Sequence, residues 1–229
     1  LPALIAVAML MSCFGVGAER VVHSPLKDAH PRTVMLSTLA LGMFMSNLAI
    51  IIWGPYPITT DGLFGQRLLR LGEISISMQN LFVIFVTIIL LIIQGLFFQR
   101  TTLGKTMRAV AQDREAATLM GIETNRTISI TFAYSSVLAG IAGILLAPVF
   151  MVSIDLAAVG MKGFASCVIG GFGHIGGATL GGIFLGTIEI LVASLLSSRY
   201  KDAIVFLILM IFLLVRPQGF LGKKVGESL

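Results

Sequence analysis

Long apolar runs, separated by short polar punctuation, set the pattern of this chain. About 20 apolar residues carry a helix across the hydrocarbon core of a bilayer. Runs near that length predict membrane spans at about 1–17, 33–52, 77–97, 127–148, 158–172, 176–197 and 202–215, the fifth being short. Lys162 is the one Lys or Arg inside these runs, near an end from which its charge can snorkel to the interface. One stretch breaks the pattern. Residues 98–126 are polar and helix-prone, and "QDREAATLMGIE" (112–123) carries Asp113, Arg114 and Glu115 in succession.

Composition agrees with the runs. The 229 residues are 56% apolar and 12% charged, against about 25% charge in soluble domains. Mean hydropathy is +0.98. A water-soluble fold is excluded, and the expected class is all-α: a polytopic transmembrane helical bundle of about seven membrane segments. No polar stretch exceeds 98–126 in length, so 1–229 reads as a single transmembrane domain. The 25 glycines suit close helix packing in lipid. The opening "LPALIAVAMLM" has no Met and no basic flank, so it is read as a start inside or near a span, not as a signal peptide. Cys13 and Cys167 fall in apolar stretches and are expected to be small buried thiols.

The net charge of +5 does not point to nucleic acid, because the basic residues cluster in short loops at span ends. Arg20, Lys27 and Arg32, then Arg100, Lys105, Arg108, Arg114 and Arg126, then Arg216, Lys223 and Lys224 share one side if the spans alternate. Arg67, Arg70, Lys162, Arg199 and Lys201 share the other. The larger group is expected in the cytoplasm, with the C-terminus inside. Parity adds a constraint. The basic loop 98–126 and the basic tail need an even number of crossings between them. A single span through 158–197 gives an odd number, so "IGGFGHIGGATLGG" (169–182) is read as a sharp break or a re-entrant turn.

Within the polar loop, "TMRAVAQDREAATLMG" (106–121) holds good helix formers and no proline. Met107, Val110, Ala117 and Met120 recur at helical spacing, with Arg108, Gln112 and Glu115 on another face. Ala117 and Gly121, four apart, predict a smooth small-residue patch. The residues alone fit either a solvated connecting helix or a docking helix for a partner.

"REAATLMGI" (114–122) resembles the E-A-A-x-x-x-G signature of ABC-importer permeases, at Glu115, Ala116, Ala117 and Gly121. "GVGAERVVHSPL" (15–26), "GKTMRAVAQDREAATLMGI" (104–122), "FASCVIGGFGHIGGATLGGIFLGTIEIL" (164–191), "SSRYKDAIVFLILM" (197–210) and "RPQGFLG" (216–222) extend the likeness to nearly the whole chain. Together they are similar to the H-type permease subunits of branched-chain amino acid ABC transporters. Those relatives carry further N-terminal sequence, and they tend to be more basic, with an aromatic residue, around Val22 and His23. The resemblance implies that 104–122 is a cytoplasmic coupling helix seated in a groove of an ATP-binding subunit. Ala117 and Gly121 would allow close contact, while Arg114 and Glu115 would set orientation. It also implies two ATP-binding subunits, a second homologous permease, a periplasmic substrate-binding protein and a bacterial inner-membrane location. ATP would be used by the partners, with no cofactor bound by this chain. "LGKT" (103–106) is not a P-loop, since the motif needs Gly where Gln99 stands and no strand precedes it.

Other residues invite chemistry more weakly. Glu189 is an acid within a span, and such acids line substrate paths or pair within the protein. Asn47 sits inside the second span, where amides glue helices or face a path, and Gln79 and Asn80 open the third. Gly170, Gly171 and Gly173 are candidate gate residues in the break, while Gly177/Gly181 and Gly182/Gly186 are GxxxG pairs. His174 has no second ligand at metal spacing. The outer segment 53–76 reads as a loop, with Trp53 and Tyr56 at interface depth. The rival function is an ion-coupled secondary carrier of small polar solutes, which would place acids near mid-membrane, and Glu189 is the one acid well inside a span. Urea or short amides are alternative cargo for an ABC permease.

Overall fold

A computed structural model describes residues 2–26, 31–60, 62, 68–71, 74–153, 156–171, 173–195, 198, 200–216 and 219–220. Lys27, Arg67, Arg199, Lys223 and Lys224 of the charge pattern lie outside these residues. The chain divides into two compact units, Leu1–Ile154 and Asp155–Leu229.

Unit 1 opens with α1 (Pro2–Ala18), which runs on into a π turn (Glu19–His23) and a 3-10 turn (Ser24–Leu26). Helix α2 (Pro31–Trp53) follows, then strands β1 (Leu68–Leu71) and β2 (Ile74–Ser77), then α3 (Met78–Arg100). Two short helices, α4 (Thr102–Gln112) and α5 (Arg114–Leu119), lead into α6 (Thr124–Phe150). The strands pair antiparallel, Leu68 opposite Ser77 and Leu71 opposite Ile74, so the outer segment read as a loop contains a hairpin. Its preceding part is tied down too: Ile58 and Val152 exchange both backbone hydrogen bonds, at 3.0 and 2.9 Å.

α1 and α6 meet at backbone distance because glycine faces each contact. A Cβ on Gly15 would lie 2.6 Å from the Phe132 carbonyl oxygen, and one on Gly140 would lie 2.7 Å from Met11 Cγ. Without a hydrophobic drive between helices in lipid, such close van der Waals contact is what holds them together. An aromatic group joins α3 to α6: Tyr134 stacks on Phe97 (4.9 Å) and meets Phe98 edge-on (5.9 Å).

Unit 2 holds α7 (Leu156–Gly170), α8 (Ile175–Leu195) and α9 (Lys201–Val215) around Ala165, Ile169, Leu185 and Val205. The predicted break is real. Gly171 (φ +100°) and Gly173 (φ +87°) take left-handed conformations that favour glycine. α7 and α8 then cross backbone to backbone, with Gly170, Gly177 and Gly181 at the contact. The pair Gly182/Gly186 does no such work: a Cβ on Gly182 would make an ordinary contact with Ser166, and among the described residues nothing lies within 4 Å of a Cβ on Gly186. The tail returns to this end, where Phe220 N–H donates to the Ile169 carbonyl (2.8 Å) and its ring packs on Phe212 and Phe184.

Among the described residues, five helices are long and apolar enough to cross a membrane: the α1 run, α2, α3, α6 and α8. At about 22 Å, the 15-residue α7 is shorter than the ~30 Å hydrocarbon core. On α2 and α3 the large apolar side chains stay uncovered, as at Met43 (69% exposed) and Phe85 (63%). That is inside-out for water and ordinary for lipid. Cys13 and Cys167 are free thiols, exposed on α1 and α7 rather than buried as expected.

Candidate functional site: the water-compatible helix pair

The polar segment is two helices, not the one that its helix formers predicted. Thr101 starts α4: its hydroxyl donates to the Phe97 carbonyl (2.6 Å) and accepts from Gly104 N–H (3.0 Å). Gly104 is buried because a Cβ there would lie 2.5 Å from the Phe97 oxygen and 2.6 Å from Phe98 Cα. The "LGKT" fragment thus lies in the first turns of α4, with Gly104 packed against the end of α3.

Asp113 ends α4 and begins α5. Its backbone is extended (φ −153°, ψ 111°). Its N–H donates to the Ala109 carbonyl (3.1 Å) while its side chain accepts from Ala116 N–H (2.9 Å). An aspartate that can cap a helix competes with continuing one, and no proline or glycine is needed. The break resets the faces. Met107 and Ala117 are buried, but Met120, expected on the same face, is 84% exposed beside Leu119 at 88%.

Gly121 closes α5 in a Schellman motif. Ile122 N–H bonds the Ala117 carbonyl (3.1 Å), Gly121 N–H bonds that of Thr118 (3.0 Å), and Gly121 sits at φ +82°. The expected smooth patch therefore does not form: Ala117 faces inward and Gly121 makes a turn. Arg108, Gln112, Arg114, Glu115, Ala116 and Thr118 are exposed. Arg114 is engaged within the chain, donating to Asn125 Oδ1 on α6 (3.3 Å).

Sequence reading passed over one group behind this segment. Glu19, 3% exposed, accepts from the Ser129 hydroxyl of α6 at 2.8 Å. The available signal was an acid directly after the small residues Gly17 and Ala18 at the end of a span.

The remaining candidates lie elsewhere. Asn47 is exposed on α2 and donates to its own helix at Met43 (2.8 Å). Glu189 is not a lone acid. Lys162 Nζ lies 2.6 Å from Glu189 Oε1 and 2.7 Å from Asp202 Oδ1, and Lys201 Nζ lies 3.3 Å from Glu189. Lys162 is mid-helix in α7 and bridges α8 and α9 instead of snorkelling away, because two carboxyls lie within reach. Of the gate candidates, Gly170 is in the helix crossing and Gly171 and Gly173 form the break. Among the described residues, no three His, Cys, Asp or Glu gather as a metal site.

The ion cluster gives a stability prediction. Lys162→Met strands two carboxyls against Lys201 alone, whereas Lys201→Met leaves Lys162 serving both. Removing the shared partner of a partly buried pair is the costlier change. In detergent, Lys162→Met is expected to lower Tm by several degrees and Lys201→Met by distinctly less. Equal shifts would rule out the bridging role.

The chain matches, over residues 1–214, the family described as branched-chain amino acid transport system / permease component. It is 32% identical to the high-affinity branched-chain amino acid transport system permease protein LivH of Salmonella typhimurium, covering 98% of this chain and 75% of the relative. LivH of Escherichia coli K12 gives 32% over 96% and 73%. BraD of Pseudomonas aeruginosa, named as the same kind of permease protein, gives 32% over 100% and 76%. No solved structure matches. With spans along both units and a family match over nearly its whole length, the chain belongs to the permease components of branched-chain amino acid transport systems.

Proposed function

We propose that this chain is the membrane-spanning subunit of an ABC importer that carries branched-chain or related amino acids across the bacterial inner membrane, driven by ATP hydrolysis in partner subunits. The loop carrying α4 and α5 then faces the cytoplasm, as does the C-terminus, in line with the excess of Lys and Arg on that side. The partners are two ATP-binding subunits, a second homologous permease and a periplasmic binding protein. Cargo of this class follows the transport systems after which the relatives are named. Asn47, Gly171 and Gly173 border the path or its gate in this reading. Glu189, held by two lysines, joins helices and lends no support to an ion-coupled carrier.

One observation carries the docking assignment. In a membrane protein, α4 and α5 form a helix pair with its ends fixed internally, by Thr101, by Asp113 and by the turn at Gly121. A pre-ordered segment loses little entropy on binding. Glu115, Leu119 and Met120 remain outward for a partner, with Glu115 exposed in the first turn of α5.

The test is co-purification with the ATP-binding subunits, with leucine uptake measured in proteoliposomes. The native chain is expected to form a stable complex with ATP-dependent uptake. Glu115→Arg is expected to weaken that complex about tenfold or more, as like charge meets a site built for an acid. Unchanged assembly and uptake in Glu115→Arg would remove the docking assignment.

A further inference from the structure

Behind α5 lies a row of polar contacts that leads away from the surface. Arg114 on α5 donates to the side chain of Asn125, the second residue of α6. One turn on, the Ser129 hydroxyl has one proton and two acceptors: Glu19 Oε2 at 2.8 Å and the Asn125 carbonyl at 3.3 Å. It can serve only one of them well. So Asn125 holds α5 with its side chain and, through its carbonyl, competes for the proton that binds Glu19.

Glu19 is an unusual group to find there. It is buried at 3% exposure, and an acid so placed is costly unless it is bonded. It also opens the π turn of α1, where Ser24 N–H reaches back five residues to the Glu19 carbonyl. Such turns are rare and tend to occur at functional sites. Above this turn, α1 is locked to α6 at backbone distance by Gly15. At the turn the ties to α6 are side chains: Glu19 to Ser129, and the ring of His23 against Phe132 at 4.5 Å. The joint between the helices is fixed on one side and adjustable on the other.

We propose that the Glu19–Ser129 bond is a latch through which displacement of α4 and α5 reaches α1. Pulling α5 shifts Asn125 through Arg114. The Ser129 proton then turns toward the Asn125 carbonyl, Glu19 is released, and the π turn rearranges. A pair kept only for packing would be served as well by two apolar side chains. Ser129 and Glu19 act as positioning residues for transport. The inference rests on α4 and α5 being the docking segment.

The experiment uses the complete transporter in nanodiscs or proteoliposomes and measures leucine uptake and ATP hydrolysis separately. Ser129→Ala is expected to assemble and to hydrolyse ATP, with leucine moved per ATP falling about fivefold or more. Glu19→Gln keeps an acceptor oxygen and should retain more of that ratio than Glu19→Ala. The double variant Ser129→Ala/Glu19→Ala should be no worse than either single change, since both remove one bond. A native ratio in Ser129→Ala overturns the latch, and so does a parallel fall of uptake and hydrolysis with the amount of folded protein. Glu115→Arg in the same preparation separates the two ideas. Intact assembly there removes the docking segment, whereas a native uptake ratio in Ser129→Ala removes only the latch.

Discussion

Gly177→Leu is expected to prevent unit 2 from folding. A Cβ on Gly177 would fall on the Gly170 carbonyl, and a Cβ on Gly170 would fall on the Gly177 carbonyl, each closer than carbon and oxygen can approach. Gly181 is similarly set against the Ser166 carbonyl. The obstructing atoms are backbone, so no rotamer change relieves the clash. Overpacking costs about 1–3 kcal/mol where side chains can move; here the helices must separate. Separation forfeits the van der Waals contact that drives association in lipid. It would also open the Ala165, Ile169, Leu185 and Val205 cluster. Size-exclusion of detergent-solubilised protein should show aggregation or loss of Gly177→Leu. Gly186→Leu is the control, because among the described residues nothing lies within 4 Å of a Cβ there. A monodisperse Gly177→Leu with native Tm would refute the backbone crossing.

Leu119→Asp/Met120→Asp is expected to abolish assembly with the ATP-binding subunits while leaving the permease folded. These two side chains are 88% and 84% exposed and make the apolar tip of an otherwise polar segment. Anchors at the centre of an interface each cost about 2 kcal/mol or more when lost, and a charge put in their place also needs desolvation. A loss above about 100-fold in affinity follows for the pair. Folding should survive, since the internal caps at Asp113 and Gly121 do not involve these side chains. Pull-down against the ATP-binding subunits, with permease Tm as the folding check, decides it. Full assembly by the double variant would show that the partner grips elsewhere on α4 and α5.

The segment that carries this prediction was legible in part. Its polarity marked it as a loop, and E-A-A-x-x-x-G at Glu115 to Gly121 marked its family. Its break was not legible, because Asp113 is acceptable inside a helix by propensity and becomes a cap only when the chain turns. The small-residue patch failed at the other end of α5. Spacing places Ala117 and Gly121 on one face only if the helix runs through both, and α5 ends at Leu119. Lys162 was misread because a charge in an apolar run has two remedies, reaching water or finding acids, and Glu189 lies 27 positions away in the chain.

What the sequence determined alone is what depends on runs: the five long spans of the seven expected, the glycine break after Gly170, the membrane class and, through its motifs, the family. Length and apolarity are properties of contiguous residues, and the bilayer reads them as such. The tertiary structure alone decided which glycine pairs are crossings, which lysine neutralises Glu189, and that Glu19 meets Ser129 across 110 positions. Each of these is a contact between residues distant along the chain. Its energy arises only when two helices lie within hydrogen-bond or van der Waals distance, and no local pattern records that.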